Sequence, residues 1–296
     1  MDYVLRTKGL TKKFGSKIAV NAVDMNVAKG DIYGFIGRNG AGKTTAMKLI
    51  LGLLNATDGE IELFGGEPPE SARGRIGSLI ESPGIYKNCT AYENMKRFSI
   101  IFGGTDEEIK ELLTLVGLDK TGKKKAGKFS LGMKQRLGMA IAMLGKPEFL
   151  VLDEPINGLD PEGIKDVRNT VLNLNREKGV TFLISSHLLD ELAKIVTRYG
   201  IINNGVLTEE ISAEELTCKC ESGIRLYVDD TEKAITALSP VVLQEEIRVS
   251  NGAIVVPLNY DAAKINETLV KSGVAVSELG TMRGDMEEYF IERLGK

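Results

Sequence analysis

Nothing in this sequence narrows its fold more than Gly37-Arg38-Asn39-Gly40-Ala41-Gly42-Lys43-Thr44, which fits the pattern G-x-x-x-x-G-K-[ST]. The apolar run Ile32–Ile36 before it reads as a buried strand. The apolar periodicity after it, from about Thr44 to Leu53, reads as a helix. That order has a physical reason. The glycines let the backbone curl so that successive N–H groups face a phosphate. The helix that starts there adds the positive end of its dipole. Lys43 would then reach the β- and γ-phosphates of a nucleoside triphosphate, and the Thr44 hydroxyl would ligate Mg²⁺. A chance match in a chain of this length is on the order of 1% from average residue usage. The alternative is a glycine turn that only caps a helix, and the flanking strand and helix argue against it.

Phe149-Leu150-Val151-Leu152-Asp153-Glu154 supplies a second half-site: an apolar strand, the pattern of a parallel central sheet, ending in two carboxylates. Asp153 would hold Mg²⁺ through water, and Glu154 would orient and deprotonate an attacking water. Alone, an acidic pair after a strand is weak. After a phosphate-cradling loop it gains force. Ser130-Leu131-Gly132-Met133-Lys134-Gln135-Arg136 precedes an apolar helix expected over Gln135–Leu144 and makes a second anion site at a helix start. His187, the one histidine of the chain, follows the apolar run VTFLISS. A lone histidine at a strand end is ordinarily a packed core residue.

Together these stretches resemble the ATP-binding subunits of ABC transporters, whose LSGGQ signature is matched here by FSLGM within FSLGMKQ. Leu131 and Met133 depart from that pattern, whereas Ser130 and Gly132 are retained. The resemblance covers about residues 3–215. It implies an α/β fold: a P-loop NTPase ABC nucleotide-binding domain with a RecA-like core, an antiparallel β subdomain and a helical subdomain at about 91–145. It implies ATP and Mg²⁺ as cofactors, with Gly37, Arg38, Asn39, Gly40, Ala41, Gly42, Lys43, Thr44 and Thr45 on the nucleotide. Thr44 and Asp153 would hold the metal, and Glu154 and His187 would act on the γ-phosphate and its water. It further implies a head-to-tail homodimer in which Ser130 and Gly132 of one copy meet the ATP held by the other. Asn157-Gly158-Leu159-Asp160 would form the loop that communicates between the two sites, with Asp160 near the nucleotide. Phe14 would stack on adenine; its competing reading is a core residue of the first sheet.

Glu81 stands where the family usually carries glutamine, and it could ligate Mg²⁺ or the water. With Pro83, the stretch AYENM and Arg38, it resembles the bacitracin- and lantibiotic-type exporter group. The implied function is the motor of an exporter, at the cytoplasmic face of a bacterial membrane, whose permease is a separate chain. An antimicrobial peptide is the expected cargo, and lipid, drug or sodium ion are the alternatives. Residues 91–145 and the Glu81 loop would grip a coupling helix of that permease.

A composition shift near 212–222 separates a second domain, expected over 222–296 after a nucleotide-binding domain over 1–215. Its order reads strand (GIRLYV), helix (Thr231–Leu238), a hairpin joined by Asn251-Gly252, helix (DAAKINETLVKSG), strand (VAVSEL). That is a ferredoxin-like β-α-β-β-α-β signal. An amphipathic helix, MEEYFIERL, is expected to close the chain. Residues 3–36 read as strands of an antiparallel sheet that ends in Ile32–Ile36.

Composition enters as exclusion. A net charge of −3 gives no footprint for nucleic acid, and no nucleic-acid partner is expected. Cys89, Cys218 and Cys220 are odd in number and form neither a disulfide framework nor a metal-ligand pattern, which fits a reducing compartment. No apolar run approaches the roughly 18 residues of a membrane-crossing helix, and the N-terminus has no signal-peptide core. The run Lys120, Lys123, Lys124, Lys125, Lys128 reads as a solvated connector rather than a membrane or nucleic-acid face. Two rivals remain: an ABC ATPase acting on nucleic acid or ribosomes, and a P-loop small-molecule kinase, which would lack Ser130–Arg136 and His187.

Overall fold

The computed structural model describes residues 2–220, 223–250, 252–282, 289–291 and 293. In chain order the elements are β1 (Tyr3–Phe14), β2 (Lys17–Val23), β3 (Asn26–Ala28), β4 (Ile32–Ile36), α1 (Lys43–Ile50), β5 (Asp58–Leu63), α2 (Pro69–Arg73), β6 (Ile76–Leu79), α3 (Ala91–Phe102), α4 (Asp106–Leu115), α5 (Leu131–Ala142), β7 (Phe149–Asp153), α6 (Pro161–Lys178), β8 (Thr181–Ser186), α7 (Leu189–Leu192), β9 (Arg198–Asn203), β10 (Val206–Ser212) and α8 (Ala213–Lys219). Beyond these come β11 (Gly223–Val228), α9 (Thr231–Leu238), β12 (Arg248–Ser250), β13 (Ala253–Pro257), α10 (Ala262–Lys271) and β14 (Val276–Met282). They fall into two compact units, Met1–Ala213 with Ile291–Lys296, and Glu214–Phe290.

The first unit is built on a six-stranded sheet of order β10-β9-β4-β8-β7-β6. Its β9-β4-β8-β7-β6 portion is parallel, and β10 closes one edge antiparallel to β9. Every residue of β4, β7 and β8 is buried, as expected where helices cover both faces. β1 pairs antiparallel with β2, β3 and β5 in a separate sheet. One expectation is corrected here: Ile32–Ile36 does not end the antiparallel sheet. β4 leaves it and enters the parallel sheet between β8 and β9. A continuous apolar strand needs cover on both faces, which the one-sided antiparallel sheet does not provide.

A partly buried polar cluster ties the two sheets. The Tyr33 hydroxyl on β4 donates to Glu210 Oε1 on β10 at 2.8 Å, and the backbone N–H and side-chain amide of Asn26 on β3 donate to the same carboxylate at 2.8 and 3.0 Å. Gly200 makes room for this. A Cβ there would stand 2.1 Å from the Tyr33 hydroxyl oxygen.

Helices α3, α4 and α5 form the helical part. α3 begins with a reciprocal cap, in which Thr90 Oγ1 accepts from Glu93 N–H and the Glu93 carboxylate accepts from Thr90 N–H. α5 begins at Leu131, four residues before the expected Gln135. Ser130 caps it by accepting from the Met133 N–H at 3.3 Å, and the cap outweighs the helix-weakening effect of Gly132.

The second unit has the sheet order β12-β13-β11-β14, all antiparallel. α9 and α10 contribute Leu238, Ile265 and Leu269 to one apolar core with Ile224, Leu226, Ile254 and Val256. Asn251 of the expected hairpin turn lies outside the described residues. So does much of the expected closing helix, of which 289–291 and 293 are helical.

Candidate active site

The strand, loop and helix over residues 32–50 set the site. Gly37 and Gly42 are required where they stand. A Cβ on Gly37 would meet the Ile202 carbonyl oxygen at 2.5 Å, and one on Gly42 would meet the Ala19 carbonyl oxygen at 2.4 Å, with φ at +109°. The Gly205 N–H donates to the Ala41 carbonyl at 2.9 Å and pins the β9–β10 turn beneath the loop. A cavity of about 420 Å³ opens above it, lined by Arg38–Thr45, Phe14 and Glu154. Phe14 is 48% exposed, with the Lys12 ammonium 5.2 Å from its ring centroid. Its core reading is therefore set aside, and its ring forms part of the cavity wall.

Behind the loop, β7 delivers both carboxylates. Thr44 Oγ1 donates to Asp153 Oδ2 at 2.7 Å. The Lys43 ammonium, nearly buried, donates to the Gly37 carbonyl at 2.6 Å and lies 3.2 Å from Glu154 Oε1. Glu154 Oε2 lies 2.7 Å from His187 Nδ1. An ionised Glu154 can only accept, so Nδ1 carries the proton and, in the neutral ring, Nε2 is left as an acceptor. Glu154 Oε1 is buried and accepts no hydrogen bond. The backbone of Glu154 is left-handed, with φ at +48°, a conformation that costs a residue with a side chain about 1–3 kcal/mol. Residues outside regular strand and helix geometry cluster at working sites for this reason.

The chemistry of these donors suits Mg²⁺. The Thr44 hydroxyl and the Asp153 carboxylate are hard oxygen ligands already side by side. Among the described residues no group of three or more His, Cys, Asp or Glu forms a protein-only cage. Mg²⁺ does not require one, since it takes one or two protein oxygens together with phosphate and water.

The structure does not bring every expected residue to this cavity. Glu81 does not line it. Its carboxylate, 67% exposed, pairs with the Lys48 ammonium at 2.7 Å, one helical turn beyond Thr44. The hydrogen bond from Lys48 holds its carboxyl below the usual carboxylate range. The acid that the sequence offers to the metal is paired here with a lysine. Ser130, Gly132 and Asp160 do not line the cavity of their own chain either. Asp160 caps α6, accepting from the Gly163 N–H at 3.1 Å. Gly132 lies against α6, where a Cβ would meet the Gly163 Cα at 3.4 Å.

Sequence reasoning missed Lys17, Ile18, Ala19, Asn204 and Gly205, which complete the cavity wall. They come from the start of β2 and the β9–β10 turn. Asn204-Gly205 is a plain turn signal, and nothing in its composition points to a nucleotide.

The chain is 40% identical to the bacitracin transport ATP-binding protein BcrA of Bacillus licheniformis. That alignment of 301 residues covers 100% of this chain and 98% of its relative. The sequence profile of the ABC transporter family matches residues 20–157. This chain belongs to the ABC transporter family. As such it is an ATP-binding, transport-coupled ATPase of the P-loop NTPase fold, and ATP-binding subunits of these transporters work with membrane permease components. The lantibiotic transport ATP-binding protein SrtF of Streptococcus pyogenes is 42% identical over 214 residues, covering 72% of this chain and 93% of that one. Among solved structures, the ADP conformation of MJ1267, an ATP-binding cassette of an ABC transporter, aligns with a TM-score of 0.65 at 30% identity. It covers 73% of this chain and 93% of that chain. Among the described residues no helix is long and apolar enough to cross a membrane.

Proposed function

We propose that this chain is the motor of an exporter for an antimicrobial peptide of the bacitracin or lantibiotic kind, acting on separate permease chains at the cytoplasmic face of a bacterial membrane. The cargo rests on the full-length likeness to a bacitracin transport protein. The chemistry rests on one observation, the chain of contacts Lys43–Glu154–His187 beside Thr44–Asp153 behind the phosphate loop.

In this reading the Gly37–Thr45 backbone and the start of α1 bind the triphosphate, and Phe14 stacks on the base. Lys43 moves its ammonium from the Gly37 carbonyl to the β- and γ-phosphates. Thr44 and Asp153 hold Mg²⁺, which when bound neutralises charge on the phosphate oxygens. Glu154 takes a proton from the attacking water at Oε1, which accepts no hydrogen bond and is released from its 3.2 Å ion pair when Lys43 moves to the phosphates. His187 fixes the other oxygen of that carboxylate. Ser130 and Gly132, which do not line their own chain's cavity, would serve the ATP of a second copy in a head-to-tail homodimer, with Asp160 at the junction. A partner's helix start would neutralise charge that one loop leaves exposed. Phosphate release then removes the bridge and opens the pair.

The permease would seat between α3 and the end of β6. A cavity of about 340 Å³ there is lined by Leu79, Pro83, Phe98, Phe102 and Ile141, and Ile100 and Ile101 of α3 are exposed to solvent. Expressed with its permease in a sensitive host, the chain should raise bacitracin or lantibiotic tolerance, and Glu154→Gln should remove that gain. Tolerance that is unchanged by either the chain or the substitution would defeat the cargo assignment.

A further inference from the structure

Ser185, on β8, belongs to neither the phosphate loop nor the carboxylate pair, and it touches both carboxylate residues. The parallel register sets Asp153 of β7 directly beside Ser185, so the two side chains share one face of the sheet. Period two along the strand puts Leu183, Ser185 and the following His187 toward that same face. Ser185 is fully buried. Its hydroxyl donates to Asp153 Oδ1 at 2.6 Å and accepts from the Glu154 N–H at 2.8 Å.

The proton assignment follows from valence. A backbone N–H can only donate, so Ser185 Oγ must accept there, and its single hydrogen is committed to Asp153. Two consequences follow. Asp153 is turned so that Oδ1 is occupied and Oδ2 faces Thr44. The Glu154 backbone, left-handed at φ +48°, has its N–H satisfied in a geometry that the sheet ladder no longer provides. One hydroxyl thereby sets the direction of both acids.

We propose that Ser185 is a positioning residue for the metal ligand and the general base: it turns Asp153 Oδ2 toward Thr44, with which it would hold Mg²⁺, and keeps Glu154 in its strained conformation. The inference rests on the site reading above, in which Asp153 serves the metal and Glu154 the water. A hydrogen bond to a charged group is worth enough that its loss should read as about tenfold.

The test is isothermal titration of the full-length protein with ATP or a non-hydrolysable analogue, with and without Mg²⁺, for wild type, Ser185→Ala and Ser185→Thr, together with steady-state hydrolysis. Ser185→Ala should bind nucleotide in EDTA as wild type does, lose about tenfold in apparent Mg²⁺ affinity, and lose kcat more than KM. Ser185→Thr keeps the hydroxyl and should restore both. If Ser185→Ala does not fold, Ser185→Cys, a weaker donor of similar size, should fall between wild type and Thr on one side and complete loss on the other. Wild-type Mg²⁺ affinity in Ser185→Ala overturns the inference, as does a loss that threonine does not repair. If wild type itself gains no nucleotide affinity from Mg²⁺, the site reading fails first, which separates the two outcomes.

Discussion

At the residue scale neighbouring side chains do different work, and substitution should separate them. Glu154→Gln keeps the size and one acceptor of the side chain but removes its basicity. Turnover should fall by at least ~10²-fold, the lower end for loss of a general base, while ATP binding measured by titration persists. Lys43→Ala should instead weaken nucleotide binding itself, because the charge opposite the triphosphate is gone. Glu81→Gln should change hydrolysis little, since that carboxylate is paired with Lys48 away from the cavity. That the loop glycines, Lys43, Thr44, Asp153 and Glu154 converge was legible from residue type and spacing, because a phosphate-cradling turn constrains backbone and charge together. The pairing of Glu81 with Lys48 was not legible, because position in a sequence does not reveal which cation an exposed acid will meet. Ser185 was hidden for the opposite reason. A serine in an apolar run reads as strand, and only the pairing of β7 with β8 reveals its partner.

At the element scale, caps and sheet junctions govern the site. The Tyr33–Glu210 pair joins β4, which carries the phosphate loop, to β10. Burial, reinforced by the charge of Glu210, raises the Tyr33 pKa well above its ordinary value. The folded chain therefore keeps a proton that the unfolded chain loses near pH ~10. This stability is complete below that pH and declines as pH rises through it. Tyr33→Phe should flatten the alkaline fall in melting temperature that sets in above roughly pH 10. Ser130→Ala should cost about 1 kcal/mol as a lost cap, seen in chemical denaturation. Helices and strands were readable from periodicity, but the start of α5 was not, because periodicity marks the body of a helix while its first turn is set here by the Ser130 cap. Which sheet β4 joins was not readable, since an apolar run of five residues fits either until its neighbours are known.

At the scale of the whole molecule, Gly132→Ala distinguishes a packing role from a trans-acting one. Space exists for the methyl group, which would touch Gly163 Cα at an ordinary 3.4 Å. Stability should thus stay within about 0.5 kcal/mol or improve, as alanine favours helix. ATP-driven dimerisation followed by sedimentation should nonetheless weaken if this surface meets the nucleotide of a second copy. Ile101→Asp, on the exposed end of α3, should reduce recovery with the permease and leave basal hydrolysis unchanged. The central claim is that each nucleotide is shared by two chains. Its most direct measurement is the structure of Glu154→Gln trapped with ATP and Mg²⁺. The account predicts each γ-phosphate within hydrogen-bond reach of Lys43 from one chain and Ser130 from the other. A triphosphate contacted by a single chain, with Ser130 of every copy far from any phosphate, would contradict it.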